Sequence, residues 1–461
     1  MSLRRPMTRH DDTIAALATP AGTAALAMVR VSGPRTAEIA ATLAGGKCPT
    51  PRRVRHLDYR NVAGEVLDDV VVTFFASPGS YTGEDALEIS CHGNPMISQH
   101  IVEDMLARGC RLAEPGEFTQ RAFLHGKMDL SQAEAVMDVI HARSARALEA
   151  AHRQLKGGLG RRVQALVEGL LAALARVEAY IDFPDEDLPA EDRGLVRAEC
   201  DRILREIGKL SATSRYGHLL REGVATVILG APNAGKSSLL NALVGSERAL
   251  VSPEPGTTRD FIEERLQVGP HWLRLIDTAG LNPSPAPLER LGMAKTRERL
   301  DEADLVLLVV DGASPPALLL PADYAERIAW GTVILVRNKA DLPAAAWSAV
   351  AADVPGGVTE IATSTVTGAG LDDLRAEIVR RIDAVGGEPD ERVAINVRHA
   401  DALAAAESAL RAARDKLAAD GPVELLASDL RAALDALGAI TGRVDNERML
   451  DHLFATFCIG K

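Results

Sequence analysis

Apolar residues change rhythm several times along this chain, and each rhythm predicts a different kind of element. Near the N-terminus, short apolar runs alternate with turn residues. Ala24–Val31, Val66–Phe75 and Ala86–Ser90 read as strands, and the stretches near Arg35–Leu43 and Ile97–Arg108 read as helices. Ser32-Gly33-Pro34, Ser77-Pro78-Gly79 and Glu114-Pro115-Gly116 supply the turns between them. This pattern predicts an α+β domain over residues 1 to about 125.

From Ser131 the spacing becomes helical. Ser131-Gln132-Ala133-Glu134 fits a capping box, with Asp129 just before it. An amphipathic run follows to about Ile181, broken near Gly157-Gly158, and ends at the acidic turn Phe183-Pro184-Asp185-Glu186-Asp187. A further helix is expected from about Glu191 to Tyr216. Helices of this kind pack on one another, so a bundle is predicted. Arg143, Arg146, Arg153, Lys156, Arg161 and Arg162 read as a solvated basic face rather than a phosphate-contacting one.

Strand-length apolar runs then return: Val224–Leu229, Trp272–Ile276, Leu305–Val310, Val333–Val336 and Val358–Ala362. Beyond about Glu388 the pattern is helical again, over Arg398–Leu417, Val423–Leu437 and Asp445–Phe457, with Gly438 to Gly442 breaking the last two. The simplest architecture places an α/β domain at 223–383 inside one helical domain made of 126–222 and 384–461.

Composition narrows the class. A chain of 461 residues with 47% hydrophobic content is ample for several cores, and aromatics at 3% favour packing on Ala and Leu. No apolar run of membrane-spanning length lacks charge, and Met1 to Asp12 has no apolar signal core, so a cytoplasmic protein without a membrane segment is expected. Cys48, Cys91, Cys110, Cys200 and Cys458 are dispersed, without metal-ligand spacing, and read as mostly buried reduced thiols. The net charge of −12 argues against a globally basic nucleic-acid binder.

The chemistry is carried by four motifs at successive strand ends. Gly230-Ala231-Pro232-Asn233-Ala234-Gly235-Lys236-Ser237-Ser238 lies between strand and helix, as a phosphate-binding loop requires. Its N–H groups would face an anion, with Lys236 on the β/γ-phosphates and the Ser237 hydroxyl on magnesium. Thr258, in Gly256-Thr257-Thr258-Arg259-Asp260, is the candidate to complete the magnesium shell. In Asp277-Thr278-Ala279-Gly280, Asp277 would hold magnesium through water and the Gly280 N–H would meet the γ-phosphate.

Asn338-Lys339-Ala340-Asp341 decides the base. The Asp341 carboxylate can accept from the N1–H and the exocyclic amine of guanine, a pattern adenine does not present. Asn338 and Lys339 would support the loop and cover the ring, and Ser364 begins the loop expected at the guanine oxygen. The four motifs in this order point to GTP.

Hydrolysis needs a water-orienting group and positive charge at the phosphate bridge. Leu281 stands where a Ras-like enzyme has its glutamine. Asn233 could instead help hold a potassium ion, and Glu289 could orient the water, although an exposed acid at a helix N-terminus is the plainer reading of that residue.

Beyond the nucleotide motifs, four blocks stand out. They are Tyr81-Thr82-Gly83-Glu84-Asp85 with Leu87-Glu88, the run Pro115–Leu124 with Lys127, Asp129-Leu130 and Gln132–Ala135, then Ile181–Glu186, and last Phe457-Cys458-Ile459-Gly460-Lys461. With these the whole chain resembles the bacterial tRNA-modification GTPase family MnmE, also called TrmE. The resemblance implies an N-terminal domain that binds 5-formyltetrahydrofolate or a related one-carbon folate, with Arg30, Glu88, Lys127 and Lys461 as contacts. On composition alone Arg30, Glu88 and Lys127 are ordinary surface charges.

It further implies a homodimer built on the N-terminal domains and GTP-binding positions at Asn233 to Ser238, Ser252, Thr257, Thr258, Asp277 to Gly280, Asn338, Lys339, Asp341 and Ser364. Magnesium would sit on Ser237 and Thr258. Potassium would sit at Asn233 under a loop carrying Ser252, Glu254 and Thr257. The implied partners are tRNA and the flavoprotein MnmG (GidA), in a heterotetramer or larger complex that builds aminomethyl or carboxymethylaminomethyl groups at carbon 5 of the wobble uridine. Cys458 is expected to be a small buried side chain that helps place Lys461. An alternative class, an Era-like ribosome-assembly GTPase switch, would require a separate basic RNA-binding domain, and none is evident.

Overall fold

The computed structural model describes residues 12–181, 190–244, 264–277, 300, 302–313, 330–343, 358–386, 393–419, 421–442, 450 and 453–460. The chain divides into two compact units. One comprises Met1–Met137, Leu159–Ala165 and Leu437–Lys461, and the other Asp138–Gly158 and Leu166–Ala436.

The first unit is built on a six-stranded sheet of order β3-β4-β5-β2-β1-β6, from β1 (Ile14–Leu17), β2 (Leu26–Ser32), β3 (Val54–Arg60), β4 (Val66–Phe75), β5 (Ala86–His92) and β6 (Arg111–Leu112). Alternation sorts the faces of the central strands. Val29, Val31, Leu87, Ile89 and Cys91 enter a core that Ile101 and Met105 of α2 (Pro95–Ala107) help close. Helix α1 (Thr36–Leu43) adds Ile39 and Ala40 to the same core. Asn94 caps α2 by accepting from the Met96 N–H at 2.9 Å, next to Pro95 in the first turn.

Three strands of this unit were not expected. β1 is Ala-rich and short, so its β-propensity is weak, and it is held as a strand by pairing with β2 on one side and β6 on the other, which buries Ile14, Ala15 and Ala16. β3 is an edge strand carrying Arg55, His56, Asp58 and Arg60, charges that suit an edge but mask the apolar pattern. β6 is only a two-residue strand.

Helix α3 (Glu117–Leu124) places Arg121 in the interior of this unit. Its guanidinium donates to Asp12 at 2.6 Å, to Glu117 at 2.9 Å and to Glu84 at 3.2 Å. Burial of such a charge is tolerable only with this number of acceptors. Burial pulls the Glu117 carboxyl upward. The bonds from Arg111 and the Glu114 N–H, with the Arg121 charge, outweigh that and hold it below the usual carboxylate value. Asp12 is lowered in the same way, burial opposing and the Arg111 and Arg121 bonds prevailing.

Helix α4 spans Leu130–His141, and its cap differs from expectation. The Asp129 carboxylate accepts from the Gln132 N–H at 2.8 Å while the Gln132 side chain accepts from the Asp129 N–H at 3.0 Å. The capping box is therefore Asp129 with Gln132, and Ser131 serves it by donating to Asp129 at 2.7 Å. The amphipathic run also breaks twice rather than once. α5 is Ala145–Leu155, with Ser144 capping the Ala147 N–H at 3.1 Å, and α6 is Gly158–Ile181. The hydroxyl of Ser144 competes for backbone donors, which starts a new helix there.

In the second unit α7 (Ala190–Ala212) buries Val196, Cys200, Ile203, Ile207 and Leu210 at helical spacing. It packs along helix Val397–Ala418, which buries Leu403, Ala406, Leu410 and Ala413. A break at Thr213 separates α7 from α8 (Ser214–Glu222). Helix Val423–Thr441 runs through Gly438, so the expected break lies only at Gly442. A glycine inside a helix is a modest cost that packing on both sides absorbs. The expected helix Asp445–Phe457 falls largely outside the described residues, as does the acidic turn Phe183–Asp187.

A second six-stranded sheet has the order β12-β11-β10-β7-β9-β8. Its strands are β7 (Val224–Leu229), β8 (Glu264–Val268), β9 (His271–Asp277), β10 (Leu305–Asp311), β11 (Val333–Asn338) and β12 (Thr359–Ala362). All neighbours are parallel except β8, which is antiparallel to β9. β7 is buried at every position, as a parallel strand covered on both faces must be. One face packs on Leu239 and Leu243 of α9 (Lys236–Val244) and on Leu374, Ile378 and Ile382 of helix Leu371–Val385.

The expected solvated basic face is also partly corrected. Arg143 lies over the Trp272 ring at 5.6 Å, with Arg265 at 5.8 Å from the same ring. The Arg146 N–H donates to the Pro270 carbonyl at 3.1 Å, and its guanidinium pairs with Asp383 at 3.4 Å. These arginines tie the start of α5 to the β8–β9 hairpin because each combines a charge with a flat apolar face.

Candidate functional site

The loops that follow β7, β10, β11 and β12 all leave from the carboxyl edge of the parallel sheet, where ligands of such folds bind. The phosphate loop joins β7 to α9. Asn233 has φ of +64° and Gly235 has φ of +95°. Successive residues of this kind turn backbone N–H groups to one side. At Gly235 a Cβ would stand 2.2 Å from Asn338 Nδ2, so only glycine lets the base loop approach the phosphate loop this closely. The Lys236 ammonium donates to the carbonyls of Gly230 at 2.8 Å and Ala231 at 2.9 Å, which folds the lysine back across its own loop. Ser237 and Ser238 are exposed in the first turn of α9. Ala234 is buried.

The base loop is tied on several sides. Asn338 is buried and donates from Nδ2 to the Ala234 carbonyl at 3.2 Å. Ser364 donates from its hydroxyl to Asp341 Oδ1 at 2.6 Å and so fixes the rotamer of the carboxylate meant for guanine. Lys339 has φ of +63°, and its ammonium donates to Asp311 Oδ2 at 2.7 Å. Sequence reasoning missed Asp311. Its signal was an acid closing the apolar strand β10, beside Asn338 in the parallel register. Asn338, Lys339, Asp341 and Ser364 are thus brought together with the phosphate loop.

Asp277 ends β9, paired in register with Ile228. Ser252, Glu254, Thr257, Thr258, Thr278, Ala279, Gly280, Leu281 and Glu289 lie outside the described residues, as does Lys461. The phosphate loop carries backbone N–H groups and a lysine suited to a triphosphate, and its residues that could hold metal are the Ser237 hydroxyl for magnesium and the Asn233 amide oxygen for a monovalent cation. These residue types fit those groups. Among the described residues no cluster of three or more His, Cys, Asp and Glu could by itself hold a metal ion. No helix described is long and apolar enough to cross a membrane.

In the first unit Arg30 on β2 stands opposite Glu88 on β5 in the antiparallel register. Arg30 donates to Glu88 Oε1 from Nη2 at 2.8 Å and from Nε at 3.2 Å. The same guanidinium lies over the rings of Tyr81 at 5.5 Å and Phe118 at 5.8 Å. Burial pushes the Tyr81 phenol above its ordinary value, opposed by the Thr119 bond and the Arg30 charge. Lys127 is exposed and donates to the Pro78 carbonyl at 2.9 Å. Arg30 is thus no ordinary surface charge.

The C-terminal residues belong to this unit. Phe454 and Phe457, with ring centroids 5.1 Å apart, dock into a cluster with Leu130 and Ala133. The Gly116 N–H donates to the Cys458 carbonyl at 3.3 Å, and the Gly460 carbonyl accepts from Arg30 at 3.2 Å. Cys458 itself is exposed, which corrects the expected buried thiol. The neighbouring Phe457 takes the buried position in the turn that follows Phe454, and Cys458 beside it is left at the surface.

A parallel sheet with a phosphate loop, a guanine-reading loop and a bridge between them defines a P-loop guanine-nucleotide-binding protein, here joined to an N-terminal α+β unit. Two family models match: the MnmE helical domain over residues 130–458 and the GTP-binding protein TrmE N-terminus over residues 13–127. The chain is 58% identical to the tRNA modification GTPase MnmE of Opitutus terrae, over 98% of this chain and 99% of that protein. It is 42% identical to the MnmE of Akkermansia muciniphila, over 99% of this chain and 100% of that protein. Among solved structures, the G domain of the T. maritima FeoB iron transporter is 30% identical. It covers 34% of this chain and 96% of that chain at a TM-score of 0.25, too loose a superposition to bear on the fold. The chain belongs to the MnmE (TrmE) family of tRNA modification GTPases.

Proposed function

We propose that this chain is a potassium-dependent GTPase of the cytoplasm. With the flavoprotein MnmG it installs an aminomethyl or carboxymethylaminomethyl group at carbon 5 of the tRNA wobble uridine. The observation that carries the reading is the pairing of two sites in one chain. One is the phosphate loop bridged to Asn338-Lys339-Ala340-Asp341, and the other is the Arg30–Glu88 pair set against Tyr81, Phe118 and the Gly460 carbonyl. Neither a plain switch GTPase nor a plain folate binder needs both.

In the nucleotide site, Lys236 exchanges its two carbonyl partners for the β/γ-phosphates. Asp341, oriented by Ser364, accepts the guanine N–H groups. Ser237 and Thr258 would hold magnesium, with Asp277 acting on it through a water. Asn233, Ser252, Glu254 and Thr257 would hold potassium, and Glu289 would orient the attacking water. The Gly280 N–H would meet the γ-phosphate, and Thr278 and Ala279 complete the GTP-binding set of that motif.

In the N-terminal unit, the Arg30–Glu88 pair would face a bound folate, its guanidinium backed by the Tyr81 ring and by the fully buried Phe118. Arg30 and Glu88 present a donor and an acceptor to the folate's polar edge, and Lys127 and Lys461 meet its anionic tail. A bound 5-formyltetrahydrofolate or related folate supplies the one-carbon unit. Two chains form a homodimer, which joins MnmG in a heterotetramer or larger complex. The G domain at 223–383 is inserted in a helical domain made of 126–222 and 384–461, after the N-terminal domain at 1–125. The test is nucleoside analysis of tRNA from a deletion strain. The wobble-uridine modification should vanish and return with the wild-type chain but not with Lys236→Ala, whereas its persistence in the deletion strain overturns the reading.

A further inference from the structure

We propose that Asp311 is a positioning residue for guanine-nucleotide recognition, acting through Lys339, an inference that rests on the guanine-nucleotide reading above. β10 and β11 run parallel in a register that sets Asp311 beside Asn338. The Asp311 carboxylate is held first by its own turn, Oδ1 accepting from the Ala313 N–H at 2.9 Å. Its Oδ2 then accepts from the Lys339 ammonium at 2.7 Å. Lys339 has φ of +63°, a conformation lysine rarely adopts, and such residues persist where the surroundings over-determine them. The partners are half-buried, with side-chain exposures of 33% for Lys339 and 24% for Asp311, so their attraction is less screened than that of a surface pair.

The tether changes what Lys339 offers a ligand. An untethered ammonium is a mobile positive charge that favours anions. An ammonium bound to Asp311 is locally neutralised, and its four-carbon stem is drawn into one direction. A neutralised aliphatic stem covers the flat face of a purine better than a charge does. The two outer residues of the base loop thus have separate guides: Ser364 orients Asp341, which reads the edge of the base, and Asp311 orients Lys339, which covers its face. Separate guides predict separable defects.

The test uses the full chain with GDP and IDP as probes, because inosine lacks the amine that Asp341 accepts. Asp311→Ala should weaken GDP roughly five- to ten-fold and IDP by the same factor, leaving their ratio unchanged. KM for GTP should rise in proportion while kcat at saturation stays within about two-fold. The double variant Asp311→Ala with Lys339→Ala should be no weaker than Lys339→Ala alone. Asp311→Asn keeps the turn acceptor and removes the charge, so it gives the same defect even where the alanine variant folds poorly. Unchanged GDP affinity in Asp311→Asn, additive effects in the double variant, or a collapsed GDP/IDP ratio would each overturn the tether. A wild-type chain that binds no GDP would overturn the underlying reading of the site instead.

Discussion

Arg30 donates from Nη1 to the carbonyl of Gly460 at 3.2 Å, a bond between positions 430 residues apart. It joins a central strand of the first unit to the last described residue of the chain. The geometry leaves no slack there: Gly460 has φ of +89°, and a Cβ on it would stand 2.6 Å from the Leu17 carbonyl and 2.8 Å from Ala18 Cα. Both are backbone atoms, which cannot step aside. Gly460→Ala should therefore displace the tail and remove an acceptor from the Arg30 guanidinium. A hydrogen bond to a charged group contributes about 1.5–3 kcal/mol, so on the folate-binding role proposed for this unit the affinity for 5-formyltetrahydrofolate should weaken by roughly ten-fold or more. GTP turnover in the same preparation should be unchanged. Titration calorimetry with the folate, beside a phosphate-release assay, checks both halves.

Asn338 offers a second prediction. Its side chain is buried and spans from the base loop to the Ala234 carbonyl, so it sets the distance between phosphate recognition and base recognition. Asn338→Ala leaves that carbonyl without this donor and lets the two loops move apart. The loss of such a buried partner costs about 1–3 kcal/mol, which predicts GDP binding weaker by roughly 10- to 100-fold. Because the loss is shared by phosphate and base, inorganic pyrophosphate affinity should change far less than GDP affinity. Equal losses for the two ligands would mean that the phosphate loop itself had collapsed.

The phosphate loop after β7 and the base loop after β11 were legible in the sequence because each is a contiguous motif at a strand end, where local chain geometry sets the backbone. Asp311 was not legible. Its partner Lys339 lies a strand away, and only the register of β10 against β11 brings them together. The same reason hid Arg121, which helical periodicity places on α3 but whose acceptors Asp12 and Glu84 come from distant segments. β4 and β5 were read within two residues of their observed ends, because alternation and turn residues both mark them. β1 escaped, since alanine-rich segments carry little strand signal until burial is known. The capping box shifted from Ser131 to Asp129 because either residue can accept an N–H, and only the observed helix start at Leu130 decides between them.

Trp272 gives a stability prediction with a local readout. Its ring is buried, lies under Arg143 just before α5 and near Arg265 of β8, and belongs to the β9 strand that ends at Asp277. Trp272→Ala removes the packing and both cation–π contacts, and a large-to-small change of this kind costs about 3–5 kcal/mol. Arg143→Ala should cost only about 0.5–1 kcal/mol, the value of a partly exposed cation–π contact. Hydrogen exchange should localise the effect of both variants to the β8–β9 hairpin and the start of α5. Protection lost mainly in α7 and helix Val397–Ala418 would show that the arginines do not tie those elements.

The buried charge cluster of the first unit sets its response to acid. Glu117 and Asp12 have folded pKa values below their ordinary ones, Arg111 and Arg121 prevailing over burial in both cases. A carboxylate lowered in the folded state contributes stability that is fully present above its unfolded pKa and is lost as pH falls through the folded value. The wild-type chain should therefore unfold at steadily lower temperature as pH drops below the ordinary carboxylate range, and should show no such trend between neutral pH and that range from these two groups. Glu117→Gln keeps the shape and removes the titration, while leaving the Arg121 charge short of an acceptor. At neutral pH it should destabilise the unit by about 3–5 kcal/mol, as expected when one partner of a buried pair is removed. Below the ordinary carboxylate range its stability should fall less steeply than that of the wild-type chain, so the two curves converge in acid. Thermal unfolding across the pH series, followed by hydrogen exchange in α3, measures both the offset and the convergence. Parallel curves would place the acid response on other groups.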